Sequence, residues 1–118
     1  MNISYQTYDP KRPEVVLLTI NAEHLDASNV KEFKSQIDKL EFKHKQVLLD
    51  MSPLSFVDSS GLGAILSMRR NIIANDGSLN LFGLTTPVRA LFELVKMHRV
   101  FTIFNTKDEA LNVLRASG

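Results

Sequence analysis

The run Gln46-Val47-Leu48-Leu49-Asp50-Met51 constrains the fold more than any other stretch of this chain. It is short and apolar at consecutive rather than alternate positions, the pattern of a strand covered on both faces of a parallel sheet. Helical spacing lies on either side of it. Before it, in "LDASNVKEFKSQIDKL", Val30, Phe33, Ile37 and Leu40 recur at helical spacing, with Asp26 or Ser28 as the expected N-cap. After it, Leu62, Ile65, Leu66, Ile72 and Ile73 form an expected inward stripe that stops near "NDG", with Gly77 as the left-handed C-terminal cap. A doubly covered strand between two helices needs parallel neighbours, and the rest of the chain supplies them.

"NISYQTY" alternates, with Ile3, Tyr5 and Thr7 on one side, and "EVVLLTI" follows the turn signal "DPKRP", which predicts an opening hairpin. "LNLFGL" is the next strand. In "TTPVRALFELVKM", Thr86 is the expected N-cap, Pro87 opens the helix, and Val88, Leu91, Phe92 and Val95 point inward. "VFTIF" reads as the last strand, and "TKDEALNVLRA" as a closing helix with a Thr106/Glu109 capping box. The order is β-β-α-β-α-β-α-β-α, a single α/β domain over residues 1–118 with a mixed, mostly parallel sheet under about four helices.

Composition excludes several functions. The 118 residues contain no cysteine, which removes disulfides, thiolate metal sites and a cysteine nucleophile. Fourteen basic and 13 acidic residues leave a formal charge of +1 with no clustered basic face, which argues against nucleic acid as the main partner. No apolar run approaches a signal peptide or a membrane span, so a soluble, cytoplasmic protein without a membrane partner is expected.

The stretch "SFVDSSGLGAIL", residues 55–66, carries the functional signal. Asp58, Ser59 and Ser60 stand where a buried strand hands over to a helix, and any of them can cap it for ~1 kcal/mol. Capping does not account for Gly61 and Gly63 in the first turn, each costing roughly 1 kcal/mol against alanine. Glycine there implies close approach, either of a partner surface or of the sheet. The Gly-x-Ser-x-Gly elbow of hydrolases, phosphate-cradling glycine loops and metal-ligand clusters are all absent from the sequence, and no cofactor is signalled. A hydroxyl at an exposed helix N-terminus can instead be phosphorylated, gaining about −1.5 to −2 charges that the helix end tolerates and a docked partner does not.

The stretch "LSFVDSSGLGAIL" resembles the Asp-Ser-[Ser/Thr]-Gly-Leu-Gly signature of the STAS-domain anti-sigma factor antagonists, and "PVRALFELVKMHRVFTIF" is similar to that family's following helix and last strand. The resemblance extends to chain length and element order. It implies that Ser59 is phosphorylated by a partner anti-sigma factor serine kinase and dephosphorylated by a metal-dependent serine phosphatase. It also implies that the chain is no enzyme, and that Asp58, Ser60, Gly61, Leu62, Gly63 and Asp26 belong to the partner surface. One stretch departs from the family. Its Gly-Glu-[Leu/Ile]-Asp loop is here "NAEHLDAS", with the glycine missing and His24 intervening ahead of Asp26.

Other readings stand beside this one: a STAS subunit of another assembly, such as a lipid-transport complex or a signalling scaffold, or a small enzyme using Ser59 as nucleophile. Ala64 and Met68 are expected on the flank of their helix, open to partner contact or to solvent. Arg69 and Arg70 are expected on a solvated face, and Lys96, His98 and Arg99 near a helix C-terminus that favours positive charge.

Overall fold

The computed structural model describes the backbone of residues 1–117 and the side chains of residues 1–114. The chain runs through β1 (Asn2–Asp9), β2 (Arg12–Asn21), β3 (His24–Leu25), α1 (Val30–Asp38), β4 (Gln46–Asp50) and β5 (Phe56–Val57). It continues through α2 (Ser59–Ala74), β6 (Ser78–Phe82), α3 (Thr86–Leu94), a 3-10 turn (Met97–Arg99), β7 (Ile103–Phe104) and α4 (Lys107–Ser117). The main sheet has the order β1-β2-β4-β6-β7, antiparallel only at the β1–β2 hairpin and parallel elsewhere. A second, two-stranded sheet pairs β3 with β5.

The run at 46–51 behaves as its composition requires. Val47 and Leu49 face α1, α2 and α3, in a core with Leu18, Ile20, Phe33, Ile65, Ile72, Leu81 and Phe92. Leu48 points the other way, toward α4, among Val15, Phe82, Phe104, Leu111 and Leu114. Three consecutive residues are thus buried on alternating faces, each stabilising the fold by about 1.5–3 kcal/mol relative to exposure. Three helices on one face and one on the other complete an α/β fold of the expected kind. Among the described residues no helix is long and apolar enough to cross a membrane.

Several local expectations are corrected. The stripe of α2 is Leu62, Ala64, Ile65, Met68 and Ile72; Ala64 and Met68 are buried and Ile73 is 46% exposed. The reason is that α2 packs on α1 as well as on the sheet, so its covered arc turns toward Phe33 and Ile37. In α3 Val95 is exposed, because the helix has ended at Leu94. The left-handed residue after α2 is Asp76 (φ 63°), not Gly77. Gly77 is required for another reason: a Cβ there would lie 2.6 Å from the Lys45 carbonyl oxygen.

Asn29, rather than Asp26 or Ser28, occupies the cap position of α1, and Thr85 rather than Thr86 that of α3. The Thr106 hydroxyl accepts the Glu109 N–H at 3.2 Å at the start of α4, one half of the expected capping box; among the described residues the return bond to the Glu109 side chain is not made. The last strand is shorter than "VFTIF", because residues 97–99 form a 3-10 turn before it. The strands β3 and β5 have no counterpart in the sequence pattern, since two-residue strands carry no periodicity.

Candidate functional site

The parallel strands β2 and β4 end on the same edge of the sheet, and the segments leaving them meet again as β3 and β5. In that small sheet His24 lies opposite Phe56 and Leu25 opposite Val57. Leu25 and Val57 are buried and anchor the pair; His24 and Phe56 face solvent, Phe56 at 53% exposure. The connection between β4 and β5 is held at several points. Leu54 is fully buried, its carbonyl accepts the Thr85 hydroxyl at 2.7 Å, and the Ser55 N–H donates to the Glu23 carbonyl at 2.7 Å. This fixes where α2 begins.

Asp58 is the N-cap of α2. Its backbone is extended, its Oδ1 accepts the Gly61 N–H at 2.9 Å, and its carbonyl accepts the Leu62 N–H at 2.9 Å. Its N–H donates to the Leu25 carbonyl at 3.3 Å, and its Oδ2 accepts the Ala27 N–H at 3.1 Å. Of the three candidate caps, therefore, the acid does the capping. The two serines that follow are exposed, and among the described residues neither hydroxyl has a hydrogen-bond partner. No histidine among the described residues is hydrogen-bonded to either serine.

The two glycines differ. Gly61 is buried against β3, where a Cβ would fall 2.1 Å from the Leu25 carbonyl oxygen; the helix can sit this close only with hydrogen at that position. At Gly63 a Cβ would meet nothing within 4 Å, and the residue leaves a flat, partly exposed spot on the first turns. Leu62 is 8% exposed and belongs to the core. Gly61 and Leu62 thus set the position of the site from behind, while Ser59, Ser60 and Gly63 form its surface.

Asp26 lies in the loop after β3. Its Oδ1 accepts both the N–H (2.9 Å) and the hydroxyl of Ser28, and its backbone N–H donates to Asn29 Oδ1 at 2.9 Å. The Asn29 amide also donates to the His24 carbonyl at 2.8 Å. The Ser28 hydroxyl, ahead of its N–H, the nearby His24 and the Asn29 N–H, holds the Asp26 carboxyl below the usual carboxylate range. The His24 ring nitrogen Nε2 stands 3.9 Å from Asp26 Oδ1 and 3.4 Å from Ser28 Oγ. The loop after β3 is therefore internally ordered and lies beside the start of α2.

Sequence patterns do not single out Phe56 or Ala27, which the structure places at this site. Phe56 has a signal in hindsight, an aromatic between buried Leu54 and Val57 with no core position to take. The Ala27 contact is made by a backbone N–H, which no sequence pattern reveals.

The model of the STAS domain family matches residues 8–110. The chain belongs to the STAS-domain anti-sigma factor antagonist family. It is 32% identical over 95 residues to the candidate anti-sigma factor antagonist BtrV of Bordetella bronchiseptica, covering 80% of this chain and 76% of that one. The anti-sigma-B factor antagonist of Listeria monocytogenes is 26% identical over 110 residues, 92% of this chain and 95% of its own. A crystal structure of a candidate anti-sigma factor antagonist from Thermotoga maritima superposes with a TM-score of 0.80 at 24% identity, covering 96% of this chain and 94% of that one. In this STAS domain, Ser59 and Ser60 sit at a tightly bonded junction of the fold, on the strand-to-helix turn capped by Asp58.

Proposed function

We propose that this STAS domain is an anti-sigma factor antagonist whose binding is switched by phosphorylation of Ser59. Unphosphorylated, it binds a serine-kinase anti-sigma factor, which then releases its sigma factor; phosphorylated, it lets that kinase go. A metal-dependent serine phosphatase resets it. ATP and Mg²⁺ belong to the kinase, and this chain supplies a hydroxyl and a surface, in the cytoplasm.

The observation that carries the reading is the division of labour between Asp58 and Ser59. The acid caps the helix, so the serine hydroxyl next to it has no structural duty and stands exposed at the first helical position. A phosphate there meets the free N–H groups and positive end of the helix dipole, so the fold can accept its charge. A partner docked over Ser59, Ser60 and Gly63 cannot. Ser60 is exposed too, and the choice of Ser59 rests on its place directly after the motif aspartate. A nucleophilic role finds less support, because a serine nucleophile needs a base within hydrogen-bond reach and none is bonded to Ser59.

The test is incubation with the anti-sigma factor kinase of the same genome and Mg-ATP, with mass spectrometry locating the phosphate. One phosphate on Ser59 is expected, and none on Ser59→Ala. Phosphate on Ser60 alone, or none at all, refutes the switch; in the latter case, co-purification with membrane ATPase components would favour a STAS subunit of another assembly.

A further inference from the structure

The loop after β3 is bonded almost entirely to itself. Ser28 donates to Asp26, Asn29 bridges Asp26 and His24, and the N–H groups of Asn29 and Val30 donate to the Asp26 carbonyl. Among the described residues one hydrogen bond alone joins residues 26–29 to the start of α2, from the Ala27 N–H to Asp58 Oδ2 at 3.1 Å. The other oxygen of the same carboxylate holds the Gly61 N–H at 2.9 Å. Each oxygen has a separate task.

That division explains why an aspartate stands here. As N-caps, asparagine, aspartate and serine are nearly equivalent, since each needs only one oxygen. Here the two N–H groups are taken by separate side-chain oxygens, and of these capping residues only aspartate has two. An asparagine that kept the cap would turn its NH₂ toward the Ala27 N–H, donor against donor.

We infer that Asp58 is a positioning residue that docks the 26–29 loop beside Ser59, so that a partner meets the loop and the phosphoacceptor turn as one surface. The inference rests on the reading of Ser59 given above and changes the expected role of Asp58 itself. Its carboxylate faces inward to two backbone donors, and it acts through the loop it holds. The loop thus placed follows β3, whose His24 is exposed and lies across the small sheet from exposed Phe56.

Amide hydrogen exchange followed by NMR tests the joint in the isolated chain, without a partner. In Asp58→Asn and Asp58→Ser the Ala27 amide should exchange faster by on the order of tenfold, while Gly61 keeps its protection; Asp58→Ala should expose both. In phosphorylation assays with the anti-sigma factor kinase, Asp58→Asn should raise KM for this chain several-fold and leave kcat near the wild-type value, because docking is impaired and the Ser59 hydroxyl is not. Unchanged Ala27 exchange in Asp58→Asn would overturn the inference. So would equal acceleration at Ala27 and Gly61, which marks a weakened cap, or a loss confined to kcat. If the kinase does not phosphorylate the wild-type chain, the reading of Ser59 falls, while the exchange rates still decide whether Asp58 holds the loop.

Discussion

Replacing Gly61 by alanine should destabilise the protein, and replacing Gly63 should not. On helix propensity alone both substitutions are favourable by up to roughly 1 kcal/mol. At Gly61 that gain is opposed by a Cβ 2.1 Å from the Leu25 carbonyl oxygen, 2.9 Å from its carbon and 3.0 Å from the Leu25 side chain. The obstacle is backbone belonging to β3, which is paired with β5 and cannot yield without moving the β3–β5 sheet. Overpacking typically costs about 1–3 kcal/mol, and an approach this close to backbone belongs in the upper part of that range, so after the propensity gain a net loss of ~1–2 kcal/mol is expected. For a chain of this size that is a fall in Tm of roughly 4–8 °C. At Gly63 a Cβ would meet nothing within 4 Å beyond the adjoining backbone of its own helix, and the same substitution should be neutral or raise Tm by a few degrees. Urea and thermal denaturation of the two variants measure this directly. A Gly61→Ala protein as stable as wild type would show that the helix does not need the close approach. Binding separates the roles further: Gly63→Ala should weaken the partner complex in a protein of undiminished stability.

Asp26 gives a pH dependence of definite sign. Its carboxyl is held below the usual range by Ser28 first, so its stabilising effect is full above the unfolded carboxylate pKa and is lost as pH falls through the lower folded value; Asp26→Asn should flatten that acid limb in denaturation curves taken across roughly pH 2–5. Phe56 is half in solvent, so Phe56→Ser should shift Tm by less than about 3 °C while lowering affinity for the anti-sigma factor several-fold, measured by calorimetry. Ser59→Asp should fold with wild-type stability to within ~1 kcal/mol and bind that partner at least roughly tenfold more weakly than Ser59→Ala; equal affinities would refute the switch.

The layered fold was legible because burial leaves a periodic trace. Consecutive apolar residues at 47–49 mark a strand covered twice, and helical spacing at Phe33 and Ile37 marks a helix covered once. The trace fails where a helix touches two neighbours. Ala64 and Met68 read as flank residues when the stripe is drawn for a helix lying on a sheet alone, whereas α1 covers them from the side. It fails again where the determinant is a backbone atom. The close approach at Gly61 has two readings from sequence, partner or sheet, and only the position of the Leu25 carbonyl decides between them. The capping residue is likewise one of three until Asp58 Oδ1 is placed on the Gly61 N–H.

With Asp58 as the cap, one added group can change binding and spare the fold. Were Ser59 the cap, phosphorylating it would put the helix start at risk, and the domain would be switched by partial unfolding. With the acid in that place, the new charge meets two local effects of comparable size and opposite sign. The helix N-terminus favours an anion by about 0.3–1 kcal/mol. The neighbouring carboxylate opposes it, by roughly 0.7 kcal/mol per unit charge at about 6 Å in water. Their near-cancellation leaves the folded state almost indifferent to the phosphate. A docked partner enjoys no such compensation, since it excludes the water that screens the group and must desolvate a charge of up to about −2. Under the proposed switch, the carboxylate that caps the helix would add to the negative charge a partner must cover, and binding rather than folding would respond, because the helix is capped by the residue before Ser59.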